Sequence, residues 1–153
     1  MTTRAVVEDV VYRAALALDE RDYRAFLDLC EPDFRYVIGA YSPEIRRQMV
    51  WLDHDKPGLQ LLFETLPRHN SDHSPLARHV TVYLVDVQAD SATASAVSAL
   101  QVFRTALDGG TTELYAVGKI LDTVRLAGER ARLVRREIRL DTRMLGIGSH
   151  IPF

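Results

Sequence analysis

The stretch His79-Val80-Thr81-Val82-Tyr83-Leu84-Val85-Asp86-Val87 decides the fold, because here the apolar spacing drops to two residues. The shorter period begins at Ala77 and persists through Ala94 to Leu107, Thr112 to Arg125 and Ala131 to Thr142. Between these runs lie Gln88-Ala89-Asp90-Ser91, Asp108-Gly109-Gly110 and Ala127-Gly128-Glu129, the residue types that close hairpins. Four long strands joined by short turns make an antiparallel meander. Within it, Val97 to Phe103 and Leu114 to Leu121 carry apolar residues on both alternating sets, so both faces of the sheet need some cover. Helices can cover one face. The other needs strong curl of the sheet or another protein chain, and a subunit interface is the expectation.

Ahead of the meander the spacing is helical. Val6, Val7, Val10, Val11, Ala14, Ala15 and Leu18 fall on one stripe, which predicts a helix over about 3–19 with Thr2 or Thr3 as its cap. Asp22 is placed to cap a second, short helix through Tyr23, Phe26, Leu27 and Leu29, and Glu31-Pro32 is expected to end it. Asp33 to Tyr41 is aromatic and β-branched and reads as a strand. Ser42 to Leu52 reads two ways, as a helix opened by Ser42-Pro43-Glu44 or as a strand finished by Met49-Val50-Trp51-Leu52. Asp55-Lys56-Pro57 starts a third helix whose Leu59, Leu62, Phe63 and Leu66 repeat until Pro67. Helices followed by a meander predict an α+β domain of open-cone shape, with the helices packed on one face of a curved sheet.

Length and composition bound the rest. A chain of 153 residues, 47% hydrophobic and 26% charged, fits a single domain over 1–153 that needs no staple to fold. The one cysteine, Cys30, excludes an intrachain disulfide and any multi-cysteine zinc or iron-sulfur site. Nineteen basic against twenty-one acidic residues, with no basic tail, argue against nucleic acid as a partner. Arg4, Glu8, Asp9 and Arg13 interrupt the first apolar segment, and no run approaches the roughly 18 charge-free residues of a membrane span. A cytoplasmic protein without membrane contact is expected.

Four of the five histidines lie between His54 and His79. His69 and His73 have the i,i+4 spacing of metal ligands on a helix, with Asp72 as a carboxylate and His79 as a third imidazole. Asn70, Ser71, Asp72, Ser74 and Pro75 are loop formers, however, so a polar loop bonded to its own backbone accounts for the same residues. Asp53, His54 and His79 could supply an acid and a base to a small pocket enzyme, a dehydratase, isomerase or cyclase. Against this, Asp55 is already explained as a helix cap. The same pocket without chemistry would be a small-ligand binding module. Cys30, at the end of an apolar helix beside Glu31, reads as a buried inert thiol. Gly109-Gly110 is followed by a strand and so is a turn, not a phosphate cradle. Arg135, Glu137, Arg139 and Asp141 alternate onto one side of the last strand and favour salt bridges across strands or a subunit boundary. The apolar run Met144 to Phe153 must dock on its own domain or a partner.

Four segments, in this order, carry a resemblance: Ala14 to Tyr23 with Phe26-Leu27, Leu76-Ala77-Arg78-His79-Val80-Thr81-Val82, Glu113 to Lys119, and Arg135 to Asp141 leading into the apolar end. Together they resemble the small, or beta, subunit of Rieske non-haem iron ring-hydroxylating dioxygenases. Met49 to Lys56 and His69 to Pro75 are similar, more narrowly, to the methanesulfonate monooxygenase branch. The resemblance implies a cystatin-like cone of the kind shared by nuclear transport factor two, SnoaL-like cyclases and scytalone dehydratase. It implies a non-catalytic structural subunit with no cofactor of its own. A separate large, or alpha, subunit would carry the Rieske 2Fe-2S cluster and the mononuclear iron, over a base of small subunits forming a homotrimer within a hetero-hexamer. The residues it points to are interfacial: Arg78, His79, Tyr115, Arg139, Asp141, Met144, Leu145 and Phe153. The chain lacks the longer N-terminal extension of the ring-hydroxylating pattern and has a shorter segment between the first strand and the third helix. Those departures bear on an aromatic substrate more than on the subunit role.

Overall fold

A computed structural model describes residues 1–69, 73–90, 92–142 and 152–153, the side chains of Arg68 and His69 excepted. Helix α1 spans Thr3–Asp19, and the Thr2 hydroxyl caps it by accepting from the Ala5 amide at 3.1 Å. Its buried stripe is Val6, Val7, Val10, Val11, Ala14, Ala17 and Leu18, the predicted set except that Ala15 is half-buried and Ala17 joins the stripe. Helix α2 (Tyr23–Asp28) is capped by Asp22, which accepts from the Ala25 amide. Glu31 and Pro32 do not end this helix. It closes at Leu29, and both residues belong to strand β1 (Cys30–Ser42). The ladder from β1 to its parallel neighbour breaks between Cys30 and Arg35, so the missing proline N–H costs no sheet bond there.

The two-way segment 42–52 resolves as a turn followed by strand β2 (Arg47–Asp55), which hairpins onto β1. Helix α3 (Lys56–His69) starts where Asp55 Oδ1 accepts from the Gly58 amide at 2.8 Å. It runs past Pro67, because a proline in the last turn removes a single helical bond. The meander follows as β3 (Leu76–Val87), β4 (Thr93–Thr105), β5 (Thr112–Ala127) and β6 (Arg130–Leu140).

The sheet order is β2-β1-β6-β5-β4-β3, and the β1–β6 pair is parallel, so the sheet is mixed. The meander therefore folds back to lay its last strand beside its first hairpin. Register breaks at Ile38/Gly39, Val82/Leu84, Val102/Phe103 and Thr123/Val124 are bulges that deepen the curl. Gly118 lets β5 and β6 close up, since a Cβ there would meet the Arg139 carbonyl. Helix α1 packs on β3 and β6, and α3 on β1 and β2. Helix α2 ties α3 to the sheet, with Phe26 edge-on to Phe34, Tyr36 and Phe63 and Tyr23 stacked on Phe63 at 4.3 Å. Among the described residues no helix is long and apolar enough to cross a membrane.

Candidate functional site

On the helix-covered side of the sheet the strands present Ala96, Leu100, Val102, Ala116, Ile120, Val124, Leu133 and Ile138, all buried. Two charged side chains sit in the same layer. Arg136 donates through Nε and one Nη to the two carboxylate oxygens of Asp122 at 2.7 and 2.8 Å, and both side chains are at most 2% exposed. Burial works against the Arg136 charge, and the Asp122 carboxylate more than offsets it, holding the guanidinium protonated. Cys30 lies beside this pair, its thiol donating to the Phe26 carbonyl at 3.3 Å. Burial pushes that thiol from 9.0 up to about 12, against the pull of Arg136 and Lys56, so it is the inert group the sequence suggests. Tyr36, fully buried, has its hydroxyl pKa raised, chiefly by that burial, and donates at 2.6 Å to the Phe153 main-chain oxygen.

A second buried arginine closes the gap between α1 and β3. Arg78 donates from its backbone N–H and from Nη1 to Asp19, and from Nη2 to the Pro152 carbonyl at 2.8 Å. Arg78 and Phe153, expected at an interface, are therefore buried within their own chain, 6% and 2% exposed. A guanidinium and a phenyl ring spent on internal partners offer a neighbouring subunit little surface. Beside Arg78 an open groove of about 480 Å³ runs between α1 and β3, lined by Tyr12, Ala15, Leu16, Asp19 and Val80. The Tyr12 hydroxyl accepts from the Val82 amide at 3.2 Å, so the helix stands in for a missing strand along the β3 edge.

The acid and base candidates are not brought together. Asp53 and His54 lie on β2 and His79 on β3, the two opposite edges of the six-stranded sheet. Asp53 is half-exposed and ion-paired with Arg35 at 2.8 Å. His79 is exposed, with its ring against Phe103 at 4.8 Å. Arg136, Asp122, Tyr36 and Phe153 are buried in the interior and paired there with one another or with their own chain. Of the candidate metal ligands, the His69 side chain and Asp72 lie outside the described residues, as do the interface candidates Met144 and Leu145. His73 is exposed and its carbonyl accepts from Arg21. Among the described residues no three His, Cys, Asp or Glu side chains cluster as a metal site.

The opposite face of the sheet has a different character. Register places Leu84, Val97, Leu121, Glu137 and Val37 in one row across five strands, and Thr81, Ala99, Lys119 and Arg139 in the next. Val97, Ala99, Phe103, Val117 and Leu121 are only half-buried, and Leu84 and Leu114 are exposed. Arg139 pairs with Glu137 at 3.3 Å on this surface, and Asp141 is exposed at its edge. Tyr115, at the bulge, turns its ring to Phe153 at 6.2 Å. Among the described residues the arrangement combines a buried, charge-paired inner layer with an apolar face crossed by charges, which suits association.

A family profile described as "Ring hydroxylating beta subunit" matches residues 13–146. The chain is 44% identical over 153 residues to the methanesulfonate monooxygenase hydroxylase subunit beta of Methylosulfonomonas methylovora, covering 95% of this chain and 84% of that protein. It is 34% identical over 117 residues to the 2-aminobenzenesulfonate 2,3-dioxygenase subunit beta of Alcaligenes sp, covering 74% of each. Among solved structures, the beta subunit of a putative aromatic-ring-hydroxylating dioxygenase from Novosphingobium aromaticivorans superposes with a TM-score of 0.80 at 21% identity, covering 97% of this chain and 95% of that one. The cystatin-like fold expected from the resemblance is the fold of this chain, with helices packed on a six-stranded mixed sheet.

Proposed function

Because the chain belongs to the family of ring hydroxylating beta subunits, we propose that it acts, as a single domain over 1–153, to assemble and stabilise the catalytic large subunits of an oxygenase without supplying a reacting group. The observation that carries this reading is the half-buried apolar face of β4 and β5, with Val97, Ala99, Val117 and Leu121 crossed by Lys119, Glu137 and Arg139. Such a face in a stable subunit is covered by another chain.

Self-association through this face would give the homotrimer at the centre of a hetero-hexamer, with His79, Tyr115, Arg139, Asp141, Met144 and Leu145 at or beside the contacts. The Rieske cluster and the mononuclear iron belong to the alpha partner. A Rieske centre takes two cysteines and two histidines, and this chain has one cysteine, buried as an inert thiol, so its residues do not fit the cluster. The two relatives are named for methanesulfonate and 2-aminobenzenesulfonate, so a sulfonate is the proposed substrate class of the partner. A cytoplasmic complex is the setting in which such a chain would work.

The test is affinity capture of the tagged chain from its native cells, with mass, iron and visible spectrum measured on what is recovered. A stoichiometric larger subunit with iron-sulfur absorption is expected. Recovery of the chain alone, free of iron and turning over a substrate in a way that His79→Ala abolishes, would overturn the reading.

A further inference from the structure

Three strands converge on the last two residues. Tyr36 of β1 donates its hydroxyl to the Phe153 main-chain oxygen at 2.6 Å, and Arg78 of β3 donates Nη2 to the Pro152 carbonyl at 2.8 Å. From β5, the ring of Tyr115 meets that of Phe153 edge-on, with centroids 6.2 Å apart and planes at 70°. Phe153 is 2% exposed. Arg78 is fixed independently of the tail, because Asp19 accepts from both its backbone N–H and its Nη1. Its Nε is buried with no hydrogen-bond partner among the described residues, so there the guanidinium has donor capacity beyond what Pro152 uses.

A buried phenol and a buried guanidinium are costly unless something accepts from them. The acceptors here are the main-chain oxygens of two consecutive residues, and the Phe153 ring packs edge-on against Tyr115. Two fixed donors beside an aromatic wall make a ligand site, apolar with a few convergent polar groups.

We infer that Tyr36, Arg78 and Tyr115 form a receptor site for a single-ring aromatic group flanked by main-chain oxygen acceptors, that the chain fills it in cis with Pro152-Phe153, and that a small neutral aromatic molecule can take the ring's place. The tail is an internal ligand, which seals a fold whose interior could otherwise be entered. This goes beyond the subunit role and does not depend on it. Removing only the ring should leave the walls standing, since both main-chain oxygens remain to hold Tyr36 and Arg78, and Asp19 still holds Arg78.

The experiment uses the full chain with Phe153→Ala and toluene as the probe. Truncation of a ring buried to this degree should lower Tm by roughly 10 °C. Saturating toluene should then raise Tm of the variant by several degrees and leave the parent unchanged. A folded variant indifferent to toluene overturns the inference. A second variant, Tyr36→Phe, keeps the ring and removes one donor. Amide exchange at Phe153 should accelerate about 5- to 10-fold, as expected for losing one net hydrogen bond, while that at Ile138 stays as in the parent. If Phe153→Ala does not fold, this comparison decides alone, and unchanged exchange at Phe153 overturns the proposal.

Discussion

The two sides of strand β5 are built from adjacent residues and do opposite work. Ala116, Ile120, Asp122 and Val124 face the helices and are at most 2% exposed, whereas Val117 and Leu121 on the other side are half-buried and Lys119 and Thr123 exposed. The inner side holds even its charges dry. The outer side leaves apolar residues partly in water and spaces them with ions. Stability should therefore be lost by touching the inner row and association by touching the outer one.

The largest expected effect is at the inner ion pair. Asp122→Ala leaves the Arg136 guanidinium buried and unpaired, which should cost about 3–5 kcal/mol in urea unfolding. Replacing both partners by apolar residues, Asp122→Leu with Arg136→Met, should recover most of that loss. A single variant within about 1 kcal/mol of the parent would mean that water reaches this row, and the contrast between the two sides would fail.

Cys30 sharpens the same contrast through pH. Its thiol ionises at about 12 in the folded chain against an ordinary 9.0, because burial favours the neutral form. The stabilisation this represents is whole below pH 9 and is lost as pH rises towards 12, since the unfolded chain sheds the proton first. Unfolding free energy of the parent should thus fall with pH over that range more steeply than that of Cys30→Ala, by on the order of a few kcal/mol. Tyr36 pulls in the same direction in both proteins, so the difference isolates the thiol. Equal slopes would place Cys30 within reach of solvent.

An outer-row change should separate the two properties. Leu121→Asp puts a charge among Val97, Leu84 and Glu137, and sedimentation should then report a smaller species than the parent forms. Tm measured on the dissociated chain should change by no more than about 1 kcal/mol would produce, because the side chain is already half in water. An unchanged mass would send the search for the interface away from this face.

These regions differed equally in how far sequence disclosed them. Helix α1, the three hairpins and the two-sided apolar character of β4 and β5 depend on local periodicity, which one chain displays. Strict alternation also sets Arg136 opposite Arg135 and Glu137, but its partner Asp122 is found only through the β5–β6 register. Sheet order is a non-local property, and nothing near Asp53 or His79 reports that their strands are opposite edges. The same holds for Asp19 and Arg78, 59 positions apart, and for Tyr36 and Phe153, 117 apart. The apolar character of the tail is visible in Ile151-Pro152-Phe153, while the donors that seat it come from strands whose own patterns look ordinary.

The smallest effect expected is at the sheet's far edge, and it separates an ion pair from a catalytic acid. Asp53 and Arg35 meet at 2.8 Å with side chains 44% and 50% exposed, so their attraction is screened and partly cancelled by ordering two flexible chains. Asp53→Asn keeps shape and removes charge, and should change unfolding free energy by about 0.5 kcal/mol or less. It should leave both the mass of the assembly and its turnover with the large subunit where they were, because no titratable partner from β3 approaches this edge. A tenfold loss of turnover at unchanged Tm would make Asp53 a chemical participant. In that case the outer edge, rather than the interior, would be where this subunit meets the reaction.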